Sequence, residues 1–228
     1  MRLHLLTCRK ALTCGLVSVL LLLIFTGCAT KETSQVVIPK TVNSVGTTYS
    51  GEKKKVSVGK FDNRSSYMQG LFSDGVDRLG GQAKTILITH LQQSGRYSVL
   101  DRANLKESAA EATHQGATQQ IKGAAYVLTG QVTAFGRKVV GDRQLFGIAG
   151  SSKTQVAYAN VAVNVVNIVT SEVVYSAQGA GEYALSSREV IGFGGTSGYD
   201  STLNGKVLDL AIREAVNRLV EAQERGAL

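Results

Sequence analysis

From residue 56 onward, apolar and polar residues recur at spacings that predict helices and strands. Residues 56–61 alternate as a half-buried strand does. Apolar residues at helical spacing follow in 82–93, with Gly95 where a helix commonly ends on a left-handed residue. A strand at 97–100, a helix at 104–114 and a strand at 125–133 complete a β-α-β-α-β order, which is typical of an α/β sandwich.

Beyond residue 130 the chain becomes rich in Gly, Ser and Val, and further strands are predicted. In 155–166 one face is predicted to carry Gln155, Ala157, Ala159, Val161, Val163 and Val165, and the other Val156, Tyr158, Asn160, Ala162, Asn164 and Val166. Weaker alternation continues in 173–185 and 190–199. Strands of about ten residues approach the roughly 9–11 that a tilted strand needs to cross a bilayer. A soluble sheet with long hairpins fits the same pattern.

The chain ends in an amphipathic helix that is predicted to stop at Gly226. Its apolar stripe comprises Val207, Leu208, Ala211, Ile212, Ala215, Leu219 and Ala222. Charged residues lie opposite the stripe, so we expect this helix to pack on the sheet. The fold class is therefore α/β (α+β), with one domain at 56–226, a C-terminal helix and two long β-hairpins.

The first 28 residues have the order of a secretory signal peptide. Three basic residues come first, 11–25 are almost wholly apolar, and Thr26 and Gly27 precede Cys28. The apolar stretch is shorter than the ~20 residues of a membrane-spanning helix. We predict a signal peptide at 1–27, a lipidated Cys28 and a tether at 28–55, against the alternative of an ordinary signal peptide with a coincidental cysteine.

Charge and cysteine content change this description in two ways. Loss of three basic residues with the signal peptide would lower the formal charge from +8 to +5, which leaves a mildly basic surface. No stripe of Lys or Arg interleaved with aromatic residues is present, so no nucleic-acid partner is expected. The mature chain would have no thiol and no disulfide, which in an oxidising compartment implies a sufficient core or an oligomer.

The residue types that most catalytic or metal sites need are scarce. His90 and His114 are the histidines after residue 28, and no cysteine would join them as a zinc ligand. His90 is expected to pack beside the apolar stripe of the first helix. Asp101, next to Arg102, is expected to be a helix cap or an ion-pair partner rather than a general acid. We therefore predict no enzyme, no catalytic residue, no metal and no cofactor other than the covalent lipid on Cys28.

Five short motifs, in order, resemble those of the curli secretion channel family, the CsgG-like outer membrane lipoproteins. They are Tyr97 to Arg102 (YSVLDR) with Leu105, Ala125 to Gly130 (AYVLTG), Phe146 to Ile148 (FGI), Ala162 to Asn167 (AVNVVN), and Thr170 with Glu172 and Val173. The resemblance extends from about Val56 to Gly226.

This resemblance implies a lipid-anchored periplasmic domain that assembles as a ring at the outer membrane. Each subunit would give two hairpins, at 137–158 and 177–201, to one shared transmembrane β-barrel that exports an unfolded polypeptide or a related envelope substrate. The family also narrows its pore with a Tyr, an Asn and a Phe, to which Tyr67, Leu71 and Phe72 correspond here. Leu71 stands at the Asn position, so the polar layer would be missing, and a plain packing role for Tyr67 and Phe72 is the alternative.

Two departures from the family pattern keep a second function open. The second hairpin is several residues shorter than in the curli channel, and Tyr126 replaces an acidic or amide residue. Similar α/β lipoproteins without a pore exist, including activators of peptidoglycan synthases. The alternative is a non-channel, periplasm-facing adaptor that binds an envelope enzyme or assembly factor. Its hairpins would carry polar residues on both faces.

Overall fold

The computed structural model describes residues 40–67, 76–143, 151–189 and 202–228, which form five strands and three helices. In chain order these are β1 (Lys54–Asn63), α1 (Arg78–Gln93), β2 (Tyr97–Leu100), α2 (Leu105–His114), β3 (Tyr126–Arg143), β4 (Ser151–Asn167), β5 (Val173–Glu189) and α3 (Thr202–Glu224). The strands form one sheet in the order β2-β1-β3-β4-β5. The predicted α/β class with a C-terminal helix is confirmed.

The sheet is mixed because its strands are connected in two ways. β1 pairs in parallel with β2 and β3, and the connections between these strands are long enough to contain α1 and α2. β3, β4 and β5 pair antiparallel. The turn between β4 and β5 is tight, since the Asn167 side chain accepts the N–H of Val169 at 2.8 Å and Ser171 has a φ of 58°.

The core lies between one face of the sheet and the helices α1 and α3. The predicted aliphatic face of β4 is buried at five positions: Ala157, Ala159, Val161, Val163 and Val165. On the other face, Tyr158 and Asn160 are exposed. Every residue of the predicted stripe of α3 is fully buried. The helical spacing therefore identified the residues of α3 that remove apolar surface from water, and the alternation separated the two faces of β4, although Val156 of the other face is also buried.

Several element boundaries differ from those predicted, and β5 continues to Glu189 instead of ending near residue 185. Helix α1 begins at Arg78 rather than residue 82, because the Asp77 side chain caps it by accepting the N–H of Gly80 at 2.7 Å. Glycines at 80 and 81 are poor helix formers, which hid this first turn from the spacing pattern. Strand β3 continues to Arg143 instead of ending near residue 133, because β4 pairs with it along its whole length.

Part of the predicted tether packs on the domain. From Lys40 the chain runs along α3, with Val42 only 2% exposed and the N–H of Asn43 bonded to the Asn217 side chain at 3.0 Å. We call residues 42–49 the strap. The first part of the tether, the signal peptide and Cys28 lie outside the described residues, so the predicted boundaries there stay predictions.

Candidate functional site

The antiparallel strands extend past the helices as a narrow ribbon. We define the ribbon as residues 137–143, 151–157 and 183–189. The register places one residue of each strand side by side, and we call each such set of three residues a rung. Helix α3 starts level with the first rung, because Asn204 bonds Arg137 and the Lys206 ammonium lies 5.3 Å from the ring centroid of Tyr183. Later rungs therefore project beyond the layer of described helices.

The ribbon contains the predicted first hairpin and the first strand of the second. Strands β3 and β4 pair throughout 137–143 and 151–157, as a hairpin at 137–158 requires. Strand β5 supplies the beginning of the hairpin predicted at 177–201. Residues 144–150 and 190–201 lie outside the described residues.

Charged residues occupy register positions on both faces of the ribbon. The two outermost described rungs consist of Asp142, Ser152 and Arg188, and of Arg143, Ser151 and Glu189. Successive positions along a strand belong to opposite faces of the sheet. Neither face of this outer part is therefore a continuous apolar band.

The loop after β1 begins at the base of the ribbon, and Tyr67 is its last described residue before position 76. The Tyr67 ring packs on Phe135 of β3 with centroids 4.7 Å apart, and its hydroxyl accepts a hydrogen bond from Asn204 at 2.8 Å. Its carbonyl accepts one from the Asn63 side chain at 2.9 Å. Tyr67 is therefore half-buried and held by three elements, whereas Leu71 and Phe72 lie outside the described residues.

Asn63, the last residue of β1, connects this loop to α1. Its N–H donates to the Asp77 carboxylate at 2.6 Å, and its side-chain oxygen accepts the Ser65 hydroxyl at 2.6 Å. Asp77 also caps α1, so β1, the loop and the helix meet at one carboxylate. The described residues on the two sides of this loop are therefore joined through Asn63 and Asp77.

The other end of the domain is organised by Arg96, which is 4% exposed. Its guanidinium bonds Glu224 at 2.8 Å, the Ser94 carbonyl at 3.0 Å and the Thr47 hydroxyl at 2.7 Å, and lies 4.9 Å from the Tyr49 ring centroid. A cavity of about 480 Å³ remains between the strap and α3. Arg96 thus holds the strap against the domain.

Two polar residues discussed in the sequence analysis, His90 and Asp101, make hydrogen bonds within the folded domain. His90 is 3% exposed and bonds Asp209 of α3 at 2.8 Å, so the expectation of a packed histidine is confirmed. Hydrogen bonds from the Asn104 side chain and the Ala103 N–H lower the pKa of Asp101, which forms the turn before α2. Within residues 40–67, 76–143, 151–189 and 202–228, no cluster of three His, Cys, Asp or Glu residues could hold a metal ion.

Sequence reasoning missed the residues that join the segments: Arg96, Asn204, Arg137 and Asn63. Asn204 lies shortly before the apolar stripe of α3, where an asparagine predicts a helix cap rather than a contact with a distant loop. Arg96 lies between Gly95 and the motif Tyr97 to Arg102 but is not part of that motif. Among the helices that the structure describes, none combines the length and the apolar character needed to cross a membrane.

Comparison with known proteins gives a family match and a related protein. A family model described as curli production assembly/transport component CsgG matches residues 40–224. A protein of Neisseria meningitidis serogroup B (strain ATCC BAA-335 / MC58), whose name describes it as a lipoprotein (NMB1126/NMB1164), is 63% identical over 202 residues, which is 89% of this chain and 90% of the relative.

Solved structures give more distant likenesses. The PelC dodecamer from Paraburkholderia phytofirmans is 17% identical, with 72% of this chain and 87% of that one covered and a TM-score of 0.34. Lipoprotein GNA1162 from Neisseria meningitidis is 16% identical, with 75% and 99% covered and a TM-score of 0.30. Likeness at this level indicates neither shared assembly nor shared function.

Proposed function

Because this chain belongs to the family of CsgG, the curli production assembly/transport component, we propose that it is a lipid-anchored outer membrane protein whose copies join their ribbons into a ring around a pore. The substrate is an unfolded polypeptide or a related envelope substrate that diffuses through without nucleotide hydrolysis. Cys28 holds the lipid, and the helix-covered sheet lies in the periplasm.

The ribbon is the structural feature that best supports this function. Its strands are paired with each other but extend beyond the described helices. A narrow ribbon in water has unpaired edge groups and little apolar burial, and such structures are marginally stable. Pairing with the ribbons of neighbouring copies would satisfy the edge N–H and C=O groups, and closure into a barrel would remove the edges altogether.

The loop beside the ribbon supports the same function. Tyr67 lies at the ribbon base, where a ring of subunits would surround the entrance to its pore. A repeated aromatic side chain at that level would narrow the opening, together with Leu71 and Phe72 of the same loop. The aromatic constriction is thus part of the proposal.

The experiment uses lipidated full-length protein extracted from membranes with detergent. Light scattering and negative-stain imaging of one sample should give a ring of many subunits with a central hole, and reconstitution into planar bilayers should give stepwise currents. A control variant replaces residues 139–155 with an Asn-Gly turn between the paired residues Lys138 and Val156, and this shortened protein should stay monomeric. A monomeric full-length protein would contradict the proposal.

A second function is favoured by the charged rungs of the ribbon. An Arg or Lys facing lipid costs about 2–4 kcal/mol at the middle of the bilayer and about 0–1 near its surface. A ribbon with charges on both faces suits water, where it could bind an envelope enzyme or assembly factor as a periplasm-facing adaptor. This alternative predicts a monomer or dimer that gives no currents and that copurifies with a stoichiometric partner.

A further inference from the structure

A chain of hydrogen bonds connects the ribbon to the loop that carries Tyr67. Asn204, near the start of α3, accepts from Arg137 Nε at 2.9 Å and donates to the Tyr67 hydroxyl at 2.8 Å. We propose that Asn204 is a positioning residue that fixes Tyr67 relative to the ribbon. The consequence for transport rests on the proposed pore, whereas the positioning of Tyr67 does not.

The chemistry of the three side chains fixes the direction of both bonds. A guanidinium can only donate, so the amide oxygen of Asn204 must face Arg137. Its NH₂ group then faces Tyr67, and the tyrosine oxygen accepts. The contact requires an acceptor that faces Arg137 and a second polar atom that faces the Tyr67 hydroxyl, and apolar side chains have neither.

The hydroxyl contact restrains the remaining freedom of the Tyr67 side chain. Asn63 holds the Tyr67 carbonyl at 2.9 Å, and the ring lies against Phe135 at an interplanar angle of 58°. Tyr67 is half-buried, so packing alone does not enclose the ring. The bond from Asn204 therefore ties the tip of the ring to α3.

Arg137 makes this restraint depend on the ribbon. It is the first ribbon residue of β3, and it pairs with Ala157 of β4. A shift of the ribbon relative to α3 would separate Arg137 from Asn204 and leave the amide free to turn away from Tyr67. In an assembled ring, the position of the ribbon would thus set the position of the aromatic side chain at the pore entrance.

The first readout does not require a channel. Lipidated full-length protein is treated with tetranitromethane, and nitration of each tyrosine is followed by mass spectrometry, with buried Tyr97 as the check on folding. Asn204→Leu should accelerate nitration of Tyr67 by about 2- to 10-fold, the factor expected when one hydrogen bond that restrains it is lost.

Two matched variants separate positioning from general loss of stability. Asn204→Asp should not accelerate nitration, because its carboxylate accepts from both Arg137 and the Tyr67 hydroxyl and disfavours the phenolate that the reagent attacks. Asn217→Ala removes a comparable bond, to the Asn43 N–H, from the same helix and should also leave Tyr67 unchanged. Unchanged nitration in Asn204→Leu, or equal acceleration in Asn217→Ala, would overturn the inference.

The second readout is the current through reconstituted protein. Asn204→Leu should at least double the variance of the open-channel current relative to Asn217→Ala, since a released Tyr67 fluctuates near the pore. An unaltered variance with accelerated nitration would overturn the link to the pore. Absence of current in every variant, including the wild type, would instead reject the proposed function while the nitration result still supports the positioning of Tyr67.

Discussion

Polar contacts at the two ends of helix α3 hold irregular segments of the chain against the folded domain. Asn204 near its start bonds Tyr67, and Glu224 at its end bonds Arg96. Partly or fully buried polar groups are costly unless they are paired, so each contact favours one arrangement of its segment. Single substitutions at these positions should therefore separate packing from function.

Tyr67→Ala tests the role of the aromatic ring. Loss of its packing on Phe135 should lower the free energy of unfolding by about 1–3 kcal/mol, less than for a fully buried aromatic residue. If Tyr67 narrows a pore, single-channel conductance should also rise. Tyr67→Phe, which keeps the ring, should change conductance little. Equal conductance in wild type and Tyr67→Ala would favour the plain packing role.

Arg96→Ala should release the strap. The substitution leaves the Thr47 and Glu224 groups without their donor, at a cost of about 1–3 kcal/mol, because Glu224 remains partly solvated. Urea unfolding followed by circular dichroism measures this loss. Limited proteolysis should cut faster within residues 42–49.

The control for Arg96 is Arg225→Ala on the same helix end. Arg225 is exposed and lies 3.8 Å from Glu221, a surface pair that contributes little. Its substitution should change stability by less than about 0.5 kcal/mol. Similar losses in the two variants would show that Arg96 has no special role in holding the strap.

At the scale of elements, α3 packs unusually close to strand β5. A Cβ atom at Gly179 would collide with the backbone of Ala211, and one at Gly181 would come within 2.6 Å of the Val207 carbonyl oxygen. The glycines in this part of β5 therefore serve the contact between helix and sheet. A sequence rich in glycine here indicates close packing rather than a bend.

Gly179→Ala should force α3 away from the sheet. Overpacking of this kind costs about 1–3 kcal/mol, which should lower the thermal midpoint by several degrees. Gln178→Ala, on the exposed face of the same strand, should leave the midpoint nearly unchanged. A thermal midpoint of Gly179→Ala equal to that of the wild type would mean that the helix adjusts without cost.

At the scale of the whole molecule, the predicted lipid on Cys28 determines where the domain acts. An acyl chain contributes about 0.8 kcal/mol per buried methylene, so Cys28→Ala should move the protein from the membrane to the soluble fraction or mislocalise it. Fractionation followed by immunoblotting measures this. Full retention of Cys28→Ala in the outer membrane would contradict a lipid anchor as the main attachment.

The fold class and much of the core were predictable, because buried residues recur at a regular spacing within a single strand or helix. Alternation in β4 separated the face from Ala157 to Val165, which is buried, from the opposite face. Apolar residues that recur about every 3.6 residues marked the buried stripe of α3. Each of these signals lies within one continuous stretch of chain. The sequence by itself therefore determined the two faces of β4, the buried stripe of α3 and the elements that present them.

The contacts that join segments were decided only by the tertiary structure. Asn204 and Tyr67 are 137 positions apart, and Arg96 and Glu224 are 128 apart, so no local period relates them. The same applies to the length of β3, which depends on pairing with β4, and to the docking of the strap on α3. Such contacts exist only once the sheet and helices bring distant residues together.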